Sequence, residues 1–267
     1  HSDPPQHART PRARGTGDPQ VTGARVVPRH GPLRLGVIHT IGPYLLPRLV
    51  PAMLKAVPGM PLLLQEGLTA KLLEALKLGE IDVAVVAEPM PVPGVMSWPV
   101  YDEPFVVVVP TKHPWAARPS VDSTELKDET MLLLGAGHCF RDQVLKVCPE
   151  LSRYSQTSTA GIQKTFEGSS LETIRHMVAS GIGITVLPWT AMPAGIEPGV
   201  EGKNNDGLLT YVPFEKTPPV RQVMLVWRKS FGRVEAVEEL HDCLVKLEQP
   251  GVMPLDVPAP LSLMTVP

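Results

Sequence analysis

The stretch from Leu33 to Glu88, LRLGVIHTIGPYLLPRLVPAMLKAVPGMPLLLQEGLTAKLLEALKLGEIDVAVVAE, decides the fold. LRLGVI reads as a short apolar strand. PYLLPRLVPAMLKAV has apolar residues at helical spacing, with Pro43 and Pro47 in its first turns, where proline is tolerated. MPLLLQEG is the next strand. LTAKLLEALKLGE is an amphipathic helix, with Leu68, Leu72, Leu73 and Leu76 on one face and Gly79 placed to end it. IDVAVVAE closes the run as a third strand. Strand, helix, strand, helix, strand in this order predicts a parallel sheet flanked by helices, an α/β fold.

Beyond this unit, EPFVVVVP (103–110) is an apolar strand of the fully buried kind. A second α/β pattern follows. TMLLLGAG (130–137) reads as a strand running into the helix HCFRDQVLKVC. SSLETIRHMVASGIGITVLP (169–188) reads as a helix capped by Ser169 or Ser170, a Gly-rich turn and a strand. GLLTYVPF and RQVMLVWR are strands. RVEAVEELHDCLVKLE is a last helix, with Val234, Val237, Leu240 and Leu244 on one face. That closing strand and helix look back to the first unit. Two units joined by two crossings leave a cleft between them, where ligands tend to bind. Residues 1–32, with six prolines, five arginines and no apolar period, read as a disordered leader or linker. Residues 249–267, rich in proline, read as a loose tail.

The totals narrow the function. The chain has 267 residues, a net charge of -2 and 43% apolar residues, which suits a globular protein without a clustered basic face. No apolar run approaches the roughly 18 residues of a membrane span, and no signal-peptide core is present at the start. Three cysteines do not form a secreted-type framework. A cytoplasmic setting with reduced thiols is expected, without a membrane partner.

Two of those cysteines bracket GHCFRDQVLKVC, Gly137 to Cys148. If the segment between them is helical, nine steps advance about 13.5 Å and leave the side chains on opposite faces. A disulfide needs Cα atoms roughly 4.4–6.8 Å apart. Oxidation to a disulfide would therefore unwind the segment, which makes the bond a conformational switch. Cys139, at the helix start beside His138 and Arg141, is placed as the reactive thiol, since N–H groups there favour a thiolate. Cys148, before Pro149, would stay an ordinary thiol. The plainer alternative is two semi-buried apolar cysteines. Metal binding is not expected, because the spacing lacks a close ligand pair. No cofactor is expected. Cys243 reads as a residue of the final helix's core side.

GHCFRDQVLKVC closely resembles the redox segment of the OxyR family, the peroxide-sensing group among LysR-type transcriptional regulators. GPLRLGVIHTIGPYLLPRLVP, YDEPFVVVVPTKHPW and SSLETIRHMVASGIGITVLP resemble further blocks of its regulatory domain, in the same order, over roughly Gly31 to Glu248. The resemblance implies a periplasmic-binding-protein-like fold of two Rossmann-like subdomains. One would comprise 33–103 plus 224–248, the other 104–223 with the redox cysteines. Hinges would fall near Asp102–Pro104 and Gln222–Met224. It also implies roles. Cys139 would be oxidised by hydrogen peroxide and form a reversible disulfide with Cys148, reset by a cellular dithiol reductant. Thr40, Thr69 and His138 would line the peroxide pocket, and Arg221 would help activate the thiol. Apart from the resemblance, Thr40 and Thr69 could cap helices, and Arg221 could make an ordinary ion pair.

As a regulator the family implies homodimers, with tetramers for the full-length protein. DNA and RNA polymerase would be reached only through the intact protein. The family's winged helix-turn-helix and linker helix have no counterpart in residues 1–32, so a regulatory domain alone is expected. The stretch PELSRYSQTSTAGIQKTFEG after Cys148 is longer than the family's usual form. The expected molecule is a switch rather than an enzyme. The alternative is a LysR-type domain sensing a small metabolite in the cleft.

Overall fold

A computed structural model describes residues 31–87, 91–151 and 170–260. The leader 1–30, most of the long stretch after Cys148 and the last seven residues lie outside the described residues.

The first unit follows the sequence pattern closely. β1 (Leu33–Ile38), α1 (Gly42–Ala56), β2 (Leu62–Gly67), α2 (Thr69–Leu78) and β3 (Val83–Ala87) alternate in order. β1 lies between β2 and β3 and is parallel to both. Leu45, Leu49 and Met53 turn one face of α1 inward, and Leu72, Ala75 and Leu76 do the same for α2. Gly79 ends α2 with a left-handed φ of 77°, a conformation its missing Cβ permits.

The strand read as EPFVVVVP is longer than its apolar run. β4 spans Val95–Pro110, sixteen residues. Its first half pairs antiparallel with β7 (Val220–Arg228), and β7 pairs antiparallel with β3. Its second half pairs with β5 (Thr185–Pro188) and β6 (Leu209–Val212). The polar residues Ser97, Asp102 and Glu103 hid the continuation, because alternation broke where the strand passes between units.

α3 (Cys139–Val147), α4 (Leu171–Ala179) and α5 (Val234–Lys246) complete the helices named here. Ser170 caps α4, its hydroxyl accepting from the Thr173 N–H. Apolar burial divides into two clusters. One is built from β1, β3, α1, α2, the start of β4, β7 and α5, with Leu62 of β2 packed against it. The other is built from the end of β4, α3, α4, β5 and β6.

Two expectations need correction. In TMLLLGAG, Met131 to Gly135 are buried, but the stretch does not form a strand; only Met131 bridges to Ile184. Thr130 O still accepts from Ile184 N–H, but two later carbonyls are drawn off the ladder: Thr185 Oγ1 donates to Leu132 O at 2.7 Å and Arg141 Nη1 to Leu134 O at 2.9 Å. The tail is not loose over its described part. β8 (Met253–Pro254) pairs with Tyr101 and Asp102, Leu255 N–H donates to Val100 O, and Trp98 Nε1 donates to Val257 O at 2.8 Å. Short proline-rich chain can dock this way where a sheet edge offers free groups. Among the described residues, no helix is long and apolar enough to cross a membrane.

Candidate redox site

Three turns meet at one small cavity. Ile38, His39 and Thr40 come from the turn between β1 and α1, Gly67, Leu68 and Thr69 from the turn between β2 and α2, and Gly137, His138 and Cys139 from the turn into α3. The parallel register that sets Ile38 beside Gly67 brings the first two turns together at the carboxyl ends of their strands. Gly137 has φ 95°, and a Cβ there would sit 3.3 Å from Leu68, so glycine lets the third turn close on the second. Each turn opens a helix, so first-turn N–H groups, with their partial positive charge, gather round the cavity. The space they enclose is small, about 10 Å³, at the lower limit for a single water.

The hydroxyls on its wall are set differently. Thr40 is buried, and its hydroxyl accepts from Arg221 Nη1 at 2.8 Å, while Arg221 Nη2 donates to its backbone carbonyl at 2.9 Å. A hydroxyl that accepts from the guanidinium keeps its own hydrogen to give elsewhere. Thr69 Oγ1 is buried with no partner among the described residues. Neither threonine caps its helix through the side chain, which removes the capping alternative for both.

Arg221 is held from behind. It and Glu103 are both 0% exposed and are cross-strand partners on β7 and β4. Arg221 Nε and Nη2 each reach Glu103 Oε2 at 2.8 Å. The other carboxylate oxygen accepts from the backbone N–H of Thr190 at 2.9 Å and from the Thr190 hydroxyl. The guanidinium carbon also stands 5.2 Å from the ring centre of Phe140, which meets Phe105 edge-on at 5.1 Å. A fully buried charge pair needs this much bonding to offset its desolvation.

The thiols are separated as the spacing predicts. Cys139 is half-buried, opens α3 and packs against the first cluster. Cys148 is 1% exposed, ends α3 and belongs to the second cluster. Burial, followed by its hydrogen bond to Glu150 Oε2 at 3.4 Å, pushes the Cys148 thiol above its ordinary pKa. It is therefore held as S–H. His138, 8% exposed, is pushed below the usual imidazole pKa by burial and then by His39, whose ring centre lies 6.1 Å away. Cys243 is half-buried at the edge of the first cluster.

All six residues singled out in the sequence lie in or beside this arrangement: Thr40, Thr69, His138 and Cys139 around or on the cavity, Arg221 behind Thr40, and Cys148 at the far end of α3. Glu103, Thr190 and His39 were missed. An acid at the head of an apolar strand was the available signal for Glu103, since a buried carboxylate demands a partner. His39 carries no local signal.

A second polar chain ties α1 to the other unit. Tyr44 OH donates to Glu172 Oε1 at 2.7 Å, Arg175 Nη1 to Tyr211 OH at 2.8 Å, and Tyr211 OH to Asp206 Oδ2 at 2.9 Å. Burial holds both phenols well above their ordinary pKa.

A family model described as the LysR substrate binding domain matches residues 28–248. The chain belongs to that family. Among curated relatives of this LysR-type domain, the hydrogen peroxide-inducible genes activator of Dickeya chrysanthemi is 36% identical over 212 residues, 79% of this chain. The DNA-binding transcriptional dual regulator OxyR of Escherichia coli K12 is 35% identical over 214 residues, 80% of this chain. The chain spans about 65% of the length of each. Among solved structures, a reduced form of OxyR from N. meningitidis matches with a TM-score of 0.76 and 41% identity, covering 84% of this chain and 99% of that one. A Corynebacterium glutamicum OxyR cysteine-to-serine mutant with H2O2 bound matches at 0.70 and 32%, covering 81% of this chain and 64% of that one. The LysR-type domain thus has the α/β, periplasmic-binding-protein-like fold of OxyR regulatory domains.

Proposed function

We propose that this LysR-type domain senses hydrogen peroxide through Cys139 and Cys148. The observation that carries the reading is the unequal setting of the two thiols. One opens onto a small cavity walled by two threonines and two histidines, and the other is held as S–H in a different core across an intact helix. Thr40 donates to one peroxide oxygen, Thr69 is open to accept, and Arg221, fixed by Glu103, sets the direction of the Thr40 hydroxyl. The Cys139 thiolate attacks one oxygen, the O–O bond breaks, and the departing oxygen leaves as water after taking a proton. The resulting sulfenic acid condenses with Cys148, forming S–S and releasing a second water. That bond requires α3 to unwind, because its two ends lie too far apart.

On this reading, 33–103 with 224–248 and 104–223 behave as two subdomains whose relation changes with oxidation. The change rearranges a homodimer, or a tetramer in the full-length protein, and controls transcription through DNA and RNA polymerase. A cellular dithiol reductant resets the switch in the cytoplasm. The domain reacts once per cycle and does not turn peroxide over as an enzyme.

Intact-mass measurement with thiol counting, before and after stoichiometric peroxide, tests this. Two of the three thiols should vanish with a mass loss of about two hydrogens. Three titratable thiols after treatment would leave the alternative, a metabolite sensor with incidental cysteines.

A further inference from the structure

We propose that His39 is the proton donor to the departing oxygen of the peroxide. The inference deepens the peroxide-sensing reading and rests on it. The bond-breaking step needs an acid at the cavity, because hydroxide is a poor leaving group until protonated. The groups around the cavity can be taken in turn. Thr40 and Thr69 offer hydroxyls, which donate hydrogen bonds but do not give up protons near neutral pH. His138 is buried, and both burial and its neighbour His39 disfavour its charged form. Arg221 has its N–H groups turned to Thr40 and Glu103.

Of the charged residues on the adjoining elements, Arg141 in the first turn of α3 donates to Leu134 O at 2.9 Å, and Asp142 beside it is exposed. Glu66, at the end of β2, lies over Gly42 at the start of α1, where a Cβ would meet its Oε1. Lys71, in the first turn of α2, pairs with Glu74 at 3.4 Å. Cys139 is the nucleophile. His39 remains. It lines the same cavity as Cys139, its ring stands 6.1 Å from that of His138, and it is exposed. Imidazole is the side chain that exchanges protons near neutral pH. An exposed one at a cavity mouth can be recharged from bulk water after each delivery.

The step balances. The Cys139 sulfur forms a bond to the near oxygen, and the O–O electron pair moves to the far oxygen. That oxygen takes the proton from the His39 imidazolium. The products are a sulfenic acid, one water and a neutral imidazole, which regains its proton from solvent.

The test is the second-order rate of Cys139 thiol loss with excess hydrogen peroxide, followed by quenched alkylation and intact mass from about pH 5.5 to 8.5, a span that brackets imidazole titration. The wild-type rate should carry a falling alkaline component that His39→Asn and His39→Gln both lack. At neutral pH each variant should react about a hundredfold more slowly, and added imidazole should restore part of the rate. Variants with the wild-type rate and pH profile would overturn the proposal. So would variants slowed equally at every pH and not rescued by imidazole, since that marks a structural role. A wild-type chain whose Cys139 does not react at all would instead overturn the peroxide reading itself.

Discussion

The two ends of α3 carry the same side chain in opposite circumstances. At the first end, Cys139 is half-buried among three helix starts, two threonines and two histidines, against the first core. At the other, Cys148 is sunk in the second core, its hydrogen held by Glu150 and its pKa pushed up. On the proposed reading, the first end meets peroxide and the other keeps its thiol inert until the helix comes apart. In the proposed switch, the two environments would give the reaction its direction.

The comparison breaks outright if the ends are interchangeable. Cys139→Ser should abolish peroxide-dependent thiol loss, whereas Cys148→Ser should still lose one thiol, at Cys139, read by intact mass. Equal behaviour of the two variants would dissolve the asymmetry.

Support from behind Cys139 is the next effect in size. Glu103→Gln leaves the buried Arg221 guanidinium without its counter-charge and should cost about 3–5 kcal/mol in urea denaturation. A loss under about 1 kcal/mol would mean that the pair is solvated and does not fix Thr40.

The two threonines sharpen the picture further. Thr40→Val strands an Arg221 donor and should cost about 1–3 kcal/mol. Thr69→Val removes no hydrogen bond among the described residues and should cost about 0.5 kcal/mol or less, yet both should slow Cys139 oxidation. Equal stability losses would show that Thr40 is not anchored as described.

The smallest effect is in pH. Burial lowers the folded pKa of His138 and of His241, which stacks on Trp98 at 3.6 Å. The unfolded chain then binds protons first. The stability they contribute is present above the unfolded value of about 6.5 and is lost as pH falls toward the folded values. Burial raises the folded pKa of Cys148 and Cys243. Their contribution is complete below the unfolded thiol value of about 8.5 and is lost as pH rises toward the folded values. His138→Asn should flatten part of the acid limb and Cys148→Ala part of the alkaline limb, in denaturation midpoints measured across pH.

Much of the first unit was legible because its signals are local. Apolar residues repeat at 3.6 along α1 and α2, β3 is a continuous apolar run, and β1 is apolar but for Arg34. The cysteine geometry was legible for the same reason, since helix spacing alone separates the thiols. What could not be read was set by partners far along the chain. Arg221 and Glu103 are 118 residues apart, and only the pairing of β4 with β7 brings them together. TMLLLGAG looked like a strand because it is apolar, but Thr185 and Arg141 claim two of its carbonyls. The tail looked loose because proline discourages regular pairing, and sequence gives no view of the edge on β4 that receives it.

The β4–β7 ribbon has a mechanical consequence. Nine residue pairs, from Val95–Arg228 to Pro104–Val220, run along it with one irregularity between Pro99 and Tyr101. A hinge made of a single loop swings freely; a hydrogen-bonded ribbon resists like a torsion bar, spreading any rotation of one core against the other along its length. The Glu103–Arg221 ion pair is bolted onto that bar near one end, with Thr40 attached. If α3 gives way as proposed, the torque would be felt at the cavity beside Cys139, so trigger and spring would share one shaft.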